Sequence, residues 1–269
     1  MSVRVDHSPQ IVPERAAAVA APAVHIRDAT LVYDGTTLFD GLSLSLAAGT
    51  WTCILGPSGV GKSSLLRMIA GLQSGGTVTD GEGRPVAGRI AWMAQQDLLL
   101  PWATAIENVL IGAKLRGERP DRQRALALLD RVGLAARADA RPAQLSGGER
   151  QRVALARTLM EGRPIVLMDE PFSALDAVTR ASLQDLAAEL LRGRTVLLIT
   201  HDPLEALRLG DTVLVMVGRP ARFEPPIPPA GTAPRRLDDP ALLRLQATLL
   251  NLLAGRGPVP VARAAGDVS

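Results

Sequence analysis

Gly56-Pro57-Ser58-Gly59-Val60-Gly61-Lys62-Ser63 satisfies the pattern G-x-x-x-x-G-K-[ST] at every fixed position, immediately after the apolar run Trp51 to Leu55. The order is that of a buried strand, a glycine-rich turn and a helix beginning near Lys62. Glycines let such a turn curl until successive backbone N–H groups converge on phosphate oxygens, and the helix N-terminus adds partial positive charge. Lys62 is placed to bridge outer phosphates, Ser63 offers a hydroxyl to Mg²⁺, and Ser64 continues the helix start. The chain has two lysines, Lys62 and Lys114, against 28 arginines, so a lysine at this position is not background. A nucleoside triphosphate is the expected ligand.

The loop occurs once in 269 residues and no internal repeat accompanies it, which points to one nucleotide-binding unit and excludes tandem ones. Net charge is +3, and no dense basic block with interleaved aromatics is present, so nucleic acid is not expected as a partner. No stretch approaches the 18 apolar residues that span a bilayer. Cys53, the single cysteine, lies in the strand before the loop and reads as a small buried side chain in a reducing compartment. Residues 1–23 lack the apolar core of a signal peptide and read as a disordered tail, with a short helix over Arg15 to Ala21 as the alternative.

Three further segments carry chemistry. Leu145-Ser146-Gly147-Gly148-Glu149-Arg150-Gln151-Arg152 opens a helix in which Ser146 is placed to cap, and Gly147 and Gly148 leave N–H groups open to an anion. Ile165 to Asp169 is an apolar strand ending in Asp169-Glu170, where a carboxylate holds Mg²⁺ and its neighbour polarises an attacking water. Thr195 to Thr200 is another buried strand, with His201 at its end.

In this order, followed by Ser173-Ala174-Leu175-Asp176 and Thr200-His201-Asp202, the segments resemble the ATP-binding-cassette (ABC) transporter ATPases over about Val24 to Arg219. The resemblance implies an α/β P-loop NTPase domain of the ABC type, with a parallel-sheet core, an antiparallel β subdomain and a helical subdomain at about 97–160. It implies two copies that sandwich two ATP molecules, each between the phosphate loop of one copy (Gly56, Pro57, Ser58, Gly59, Val60, Gly61, Lys62, Ser63, Ser64) and Ser146, Gly147 and Gly148 of the other. Glu170, His201 and Gln95 become the catalytic set, Ser63, Gln95 and Asp169 the Mg²⁺ set, and Asp176 a dimer-facing nucleotide contact. Gln96 competes with Gln95 if the register is off by one. Tyr33, the only tyrosine, resembles the aromatic that stacks on adenine, with an ordinary half-buried strand residue as the alternative. Glu149 stands where many members have Gln.

The same resemblance implies integral membrane permease subunits as partners, a periplasmic or lipid-anchored solute-binding protein indirectly, and a peripheral place on the cytoplasmic face of the inner membrane. Pro101-Trp102 and Gly218-Arg219-Pro220-Ala221 are similar to the nitrate, sulfonate and taurine importer branch, which includes importers of hydroxymethylpyrimidine. Leu98 and Leu99 read equally as core or as docking surface. An exporter or lipoprotein-release ATPase and a non-transport ABC ATPase are the rivals. Along the chain, a hairpin-like stretch is expected at Thr77 to Ala94, and helices at Ala105 to Leu115 and Arg122 to Val132. Residues 220–269 should form a proline-rich linker and a final helix, Pro240 to Leu253, with Leu242, Leu245, Leu249, Leu250 and Leu253 as its apolar stripe.

Overall fold

The computed structural model describes residues 21–254. Strands β1 (Val24–Tyr33) and β2 (Thr36–Leu46) pair antiparallel around Asp34-Gly35, whose φ angles of 45° and 72° give the left-handed turn that matches strand twist. After β3 (Trp51–Leu55) and α1 (Lys62–Ile69), β4 (Thr77–Asp80) returns to the other edge of β1 and completes a three-stranded sheet. Ala21 to Ala23, expected as the end of a tail, lie against the core, where the Thr195 hydroxyl donates to the Pro22 carbonyl at 2.7 Å. The rest of the expected tail is outside the described residues.

The stretch expected as one hairpin divides between two sheets. A tight turn does close after β4, with the Asp80 N–H donating to the Arg84 carbonyl at 2.8 Å, but β5 (Ile90–Met93) pairs in parallel with a later strand. Ile90 to Met93 is apolar throughout, which suits a strand buried between helix layers better than a solvated hairpin arm.

The chain next builds a helical lobe from α2 (Ala105–Leu115), α3 (Arg122–Arg131) and α4 (Gly147–Met160), packed around Ile106, Val109, Leu129, Val153 and Ala156. It then returns through β6 (Ile165–Asp169), α5 (Ala177–Leu190), β7 (Thr195–Ile199), α6 (Pro203–Leu209), β8 (Thr212–Val217) and β9 (Arg222–Phe223). The large sheet has the order β5-β6-β7-β3-β8-β9, parallel except for β9. Its strands are apolar at almost every position because both faces are covered. Cys53 is fully buried in β3, and burial holds its thiol well above the ordinary range. The carboxyl ends of β3, β6 and β7 deliver the phosphate loop, Asp169-Glu170 and His201 to one crevice, as doubly wound sheets do.

The final helix, α7 (Pro240–Leu253), packs back on this core through Leu242 and Leu249, with Leu245, Leu252 and Leu253 beside them. Leu250, expected on the buried stripe, is 51% exposed, and Leu252 takes its place against the core. The proline-rich segment before α7 is anchored by Arg235, which is 5% exposed. Its guanidinium donates to the carbonyls of Leu207 and Gly210 at the end of α6, and to those of Pro229, Ala230 and Gly231, all at 2.7–2.9 Å. A planar fork with five donors fits this ring of carbonyls, and an ammonium does not.

Arg235→Met should therefore leave buried carbonyls without donors and cost about 3 kcal/mol, and Arg235→Lys should restore less than half of it. Thermal unfolding checks this: a wild-type melting temperature in Arg235→Met contradicts the anchoring role.

Candidate active site

The phosphate loop is shaped by two close approaches. A Cβ on Gly56 would lie 2.5 Å from the Met216 carbonyl oxygen of β8, and one on Gly61 would lie 2.7 Å from the ring of Phe39 on β2. Gly61 also has φ 110°, which side chains rarely adopt. Gly61 is the N-cap of α1 and supplies no side-chain bond to it, so the first N–H groups of that helix stay open to an anion. Lys62 is buried and donates to the carbonyls of Gly56 (2.7 Å) and Pro57 (2.9 Å). Burial pulls its pKa down, opposed by Glu170 and Asp169. The loop opens on a cavity of about 530 Å³ lined by Tyr33, Ser58, Gly59, Gly61, Lys62, Ser63, Ser64 and Glu170, together with Asp34, Thr36, Leu38, Arg67 and Arg219.

Asp169 ends β6 beside the loop. Burial pushes its carboxyl up, opposed first by a hydrogen bond from the Ser63 hydroxyl. Among the described residues no cluster of three His, Cys, Asp or Glu forms a metal cage. One carboxylate and one hydroxyl beside a phosphate cradle instead match how Mg²⁺ is held, through few protein oxygens and the phosphates themselves. The residues present fit the ion.

Glu170 follows with φ 46°, a left-handed conformation that costs a non-glycine residue about 1 kcal/mol. Its N–H donates to the Ile199 carbonyl at 2.9 Å, and its own carbonyl accepts from the Ser173 hydroxyl at 2.9 Å, which holds the turn. The conformation directs the carboxylate at two partners. Gln95 Nε2 donates to Glu170 Oε2 at 3.3 Å, and His201 Nδ1 lies 3.0 Å from the same oxygen. Residues from the ends of β5, β6 and β7 thus meet at one atom. Gln95, not Gln96, makes this contact.

The segment after Gln95 is clamped to the helical lobe. Gln151 Nε2 donates to the Gln95 carbonyl (3.2 Å), Arg150 pairs with Asp97 (2.9 Å), and Arg157 donates to the Leu98 carbonyl (2.8 Å). All three donors lie on α4, so the glutamine loop and the Ser146 helix are mechanically joined. Asn108, fully buried, holds the next turn by donating to Ala103 and Thr104 carbonyls and accepting from the Leu100 N–H. Leu98 and Leu99 take opposite fates: Leu99 joins the lobe core at 8% exposure, and Leu98 is 59% exposed. Trp102, at 71%, and Leu72, at 71%, are exposed too.

Ser146, Gly147, Gly148 and Asp176 are brought together, but away from the phosphate loop. They line a separate cavity with Gly133, Glu149, Arg152 and Thr179. Ser146 Oγ accepts from the Glu149 N–H (3.2 Å) while the Glu149 carboxylate accepts from the Ser146 N–H (2.8 Å), a reciprocal cap that Glu completes as well as Gln. Those bonds hold the Glu149 pKa below the usual carboxylate range. A Cβ on Gly148 would meet the Thr179 methyl at 2.7 Å, so this glycine seats α4 against α5. Asp176 caps α5 through the N–H groups of Val178 and Thr179. Tyr33 is 63% exposed at the mouth of the phosphate-loop cavity. Sequence reasoning did not single out Arg67, Asp34, Thr36 or Leu38, which carry no local signature, and it read Arg219 only within Gly218-Arg219-Pro220-Ala221, with no place at this cavity.

A glycine-rich loop between a buried parallel strand and an uncapped helix, with Asp169 at the end of a second strand of the same sheet, defines a P-loop nucleoside triphosphatase. Residues 39–173 match the ABC transporter family model. An uncharacterized ABC transporter ATP-binding protein of Haemophilus influenzae is 46% identical over 237 residues, covering 86% of this chain and 99% of that protein. An aliphatic sulfonates import ATP-binding protein of Pseudomonas syringae pv. syringae is 43% identical over 223 residues, 82% of this chain and 92% of that one. Among solved structures, a dimeric ATP-binding cassette in a post-hydrolysis state, bound to ADP and Pi, aligns with a TM-score of 0.66 and 31% identity over 78% of this chain and 100% of its own. The chain belongs to the ABC transporter ATP-binding family and is an ATPase of that class. Among the described residues, no helix is long and apolar enough to cross a membrane.

Proposed function

We propose that this chain is the ATP-hydrolysing subunit of an importer for a small organic sulfonate, working as two copies beneath a separate membrane permease. The observation that carries the catalytic part is the meeting of Gln95 and His201 on one oxygen of Glu170, beside the cavity of Lys62 and Ser63. Glu170 in this position orients the attacking water and accepts its proton, and His201 faces the γ-phosphate as charge develops there. Lys62 and the N–H groups of the loop and α1 hold the outer phosphates in line with the water. Ser63, Asp169 and Gln95 would hold Mg²⁺, which would supply neutralising charge to the phosphate oxygens. Tyr33 at the cavity mouth stacks on the adenine.

The separation of the two cavities supports the shared-site arrangement. Ser146, Gly147, Gly148 and Asp176 line a cavity that shares no residue with that of their own phosphate loop, which leaves them to complete the site of a second copy. The dimeric neighbour bound to ADP and Pi agrees with that arrangement. The sulfonate reading rests on relatives named as aliphatic sulfonate import subunits, 43% and 48% identical in Pseudomonas syringae and Agrobacterium fabrum. The permease reading rests on Leu98 and Trp102, large apolar side chains left exposed just after the clamped segment at Gln95. Such a complex places the chain on the cytoplasmic face of the cell membrane, with a solute-binding protein acting on the far side.

Two outcomes follow. Glu170→Gln keeps size and hydrogen bonding but removes the charge, so hydrolysis should fall by ~10²–10⁴ while ATP still binds. Size-exclusion chromatography with ATP and Mg²⁺ should then show a trapped dimer, and a wild-type rate in this variant rejects Glu170 as the base. Trp102→Ala should leave the isolated subunit's ATPase rate and melting temperature near wild type while abolishing alkanesulfonate uptake in cells and co-purification with the permease. Unimpaired uptake in Trp102→Ala cells contradicts the docking role.

A further inference from the structure

We infer that Arg219 is a second fixed cation for the phosphate chain of the bound nucleotide, acting opposite Lys62. This rests on the nucleotide reading of the cavity given above. Arg219 lies in the turn between β8 and β9, 157 positions from Lys62 in sequence yet lining the same cavity. Three features fix the turn there. The P-loop touches the end of β8 so closely that Gly56 has no room for a Cβ beside Met216. Gly218 has φ 81°, and a Cβ on it would crowd the Pro220 carbonyl at 3.1 Å. Buried Ala221 then donates its N–H to the Leu38 carbonyl at 2.8 Å, pinning the far side of the turn to β2.

The guanidinium lies over the middle of the phosphate loop. Its Nη2 donates to the Gly59 carbonyl at 3.4 Å, and a Cβ on Gly59 would sit 3.2 Å from the same nitrogen. A bond of that length is weak. Arg219 is exposed, and among the described residues this is the guanidinium's one hydrogen bond, which leaves its remaining N–H donors available to a ligand in the cavity. No acid of the cavity, Asp34 or Glu170, pairs with it. A planar cation held by backbone at the edge of a phosphate cradle, with its donors unspent, is suited to bidentate contact with phosphate oxygens.

The test is equilibrium titration of wild type, Arg219→Ala, Arg219→Lys and Arg219→Glu with MgATP and MgGTP, alongside Lys62→Ala and the melting temperature of each protein without nucleotide. Arg219→Ala should weaken both triphosphates by the same factor, about tenfold, since the contact is to phosphate and not to base. Arg219→Lys should stay within about threefold of wild type, Arg219→Glu should lose more than Arg219→Ala, and all should melt with the wild type. Affinity within twofold of wild type in Arg219→Ala overturns the assignment, and so does a loss confined to one base. Equal losses in the Ala, Lys and Glu variants with a lowered melting temperature show a brace, and overturn it as well. A wild type that binds no triphosphate, or a Lys62→Ala variant that binds as wild type does, removes the nucleotide reading itself, whereas normal Lys62 dependence with an indifferent Arg219 removes only this inference.

Discussion

The site depends on how closely the loop at 56–61 is pressed between the two sheets. Its first glycine is in backbone contact with β8 of the parallel sheet, and its last is under the Phe39 ring of the antiparallel one. Phe39 is fully buried in the core shared by those sheets, so the loop cannot relax without disturbing packing on both sides. Preorganised N–H donors gain their value from that rigidity, because no reorganisation is left to be made when charge arrives. Everything else at the site is placed relative to this loop, from Asp169 one strand crossing away to Arg219 at the turn after β8.

The residues proposed to act on the attacking water share a second constraint. Glu170 occupies a left-handed conformation and is held there by Ile199 and Ser173, which turns its carboxylate to Gln95 and His201. Gln95 is in turn tied through its own carbonyl to Gln151 on α4, the helix capped by Ser146. The same helix reaches the exposed Leu98 and Trp102 segment through Arg150 and Arg157. A chain of hydrogen bonds and ion pairs thus connects the outer surface, the Glu170 carboxylate and the Ser146 cap. Movement of the lobe in response to a partner at Trp102 would shift both ends of the machinery together.

Much of this was legible in the residues because phosphate chemistry demands contiguous motifs. The glycines, Lys62, Ser63 and the strand before them declare their geometry locally, as does Asp169 at the end of an apolar strand. The helix at Pro240–Leu253 was legible from period alone. What sequence did not reveal depends on tertiary placement. That β5 joins β6, distant in sequence, and not β4, its nearest strand along the chain, is settled by the topology of the core. Leu98 and Leu99 are chemically alike, and only the φ of 46° at Leu98 sends one outward and the other into the lobe. Leu250 and Leu252 exchange roles because, at about 3.6 residues per turn, Leu252 falls nearer the face of Leu242, Leu245 and Leu249 that meets α6 and β8, and Leu250 falls off it. Arg235 and Arg219 look alike among 28 arginines, yet one spends its donors on carbonyls and the other faces a phosphate cradle.

The central claim is that one working site takes its phosphate loop from one copy and its Ser146 segment from the other. Mixing two inactive variants, Lys62→Ala and Ser146→Arg, and measuring ATP hydrolysis after subunit exchange tests it most directly. In a mixed dimer one site carries both lesions and the other carries neither, so activity should reappear in the mixture although each variant alone has none. A mixture as inactive as its components, with exchange verified by differential tagging, would show that loop and segment act within a single chain and would contradict the account.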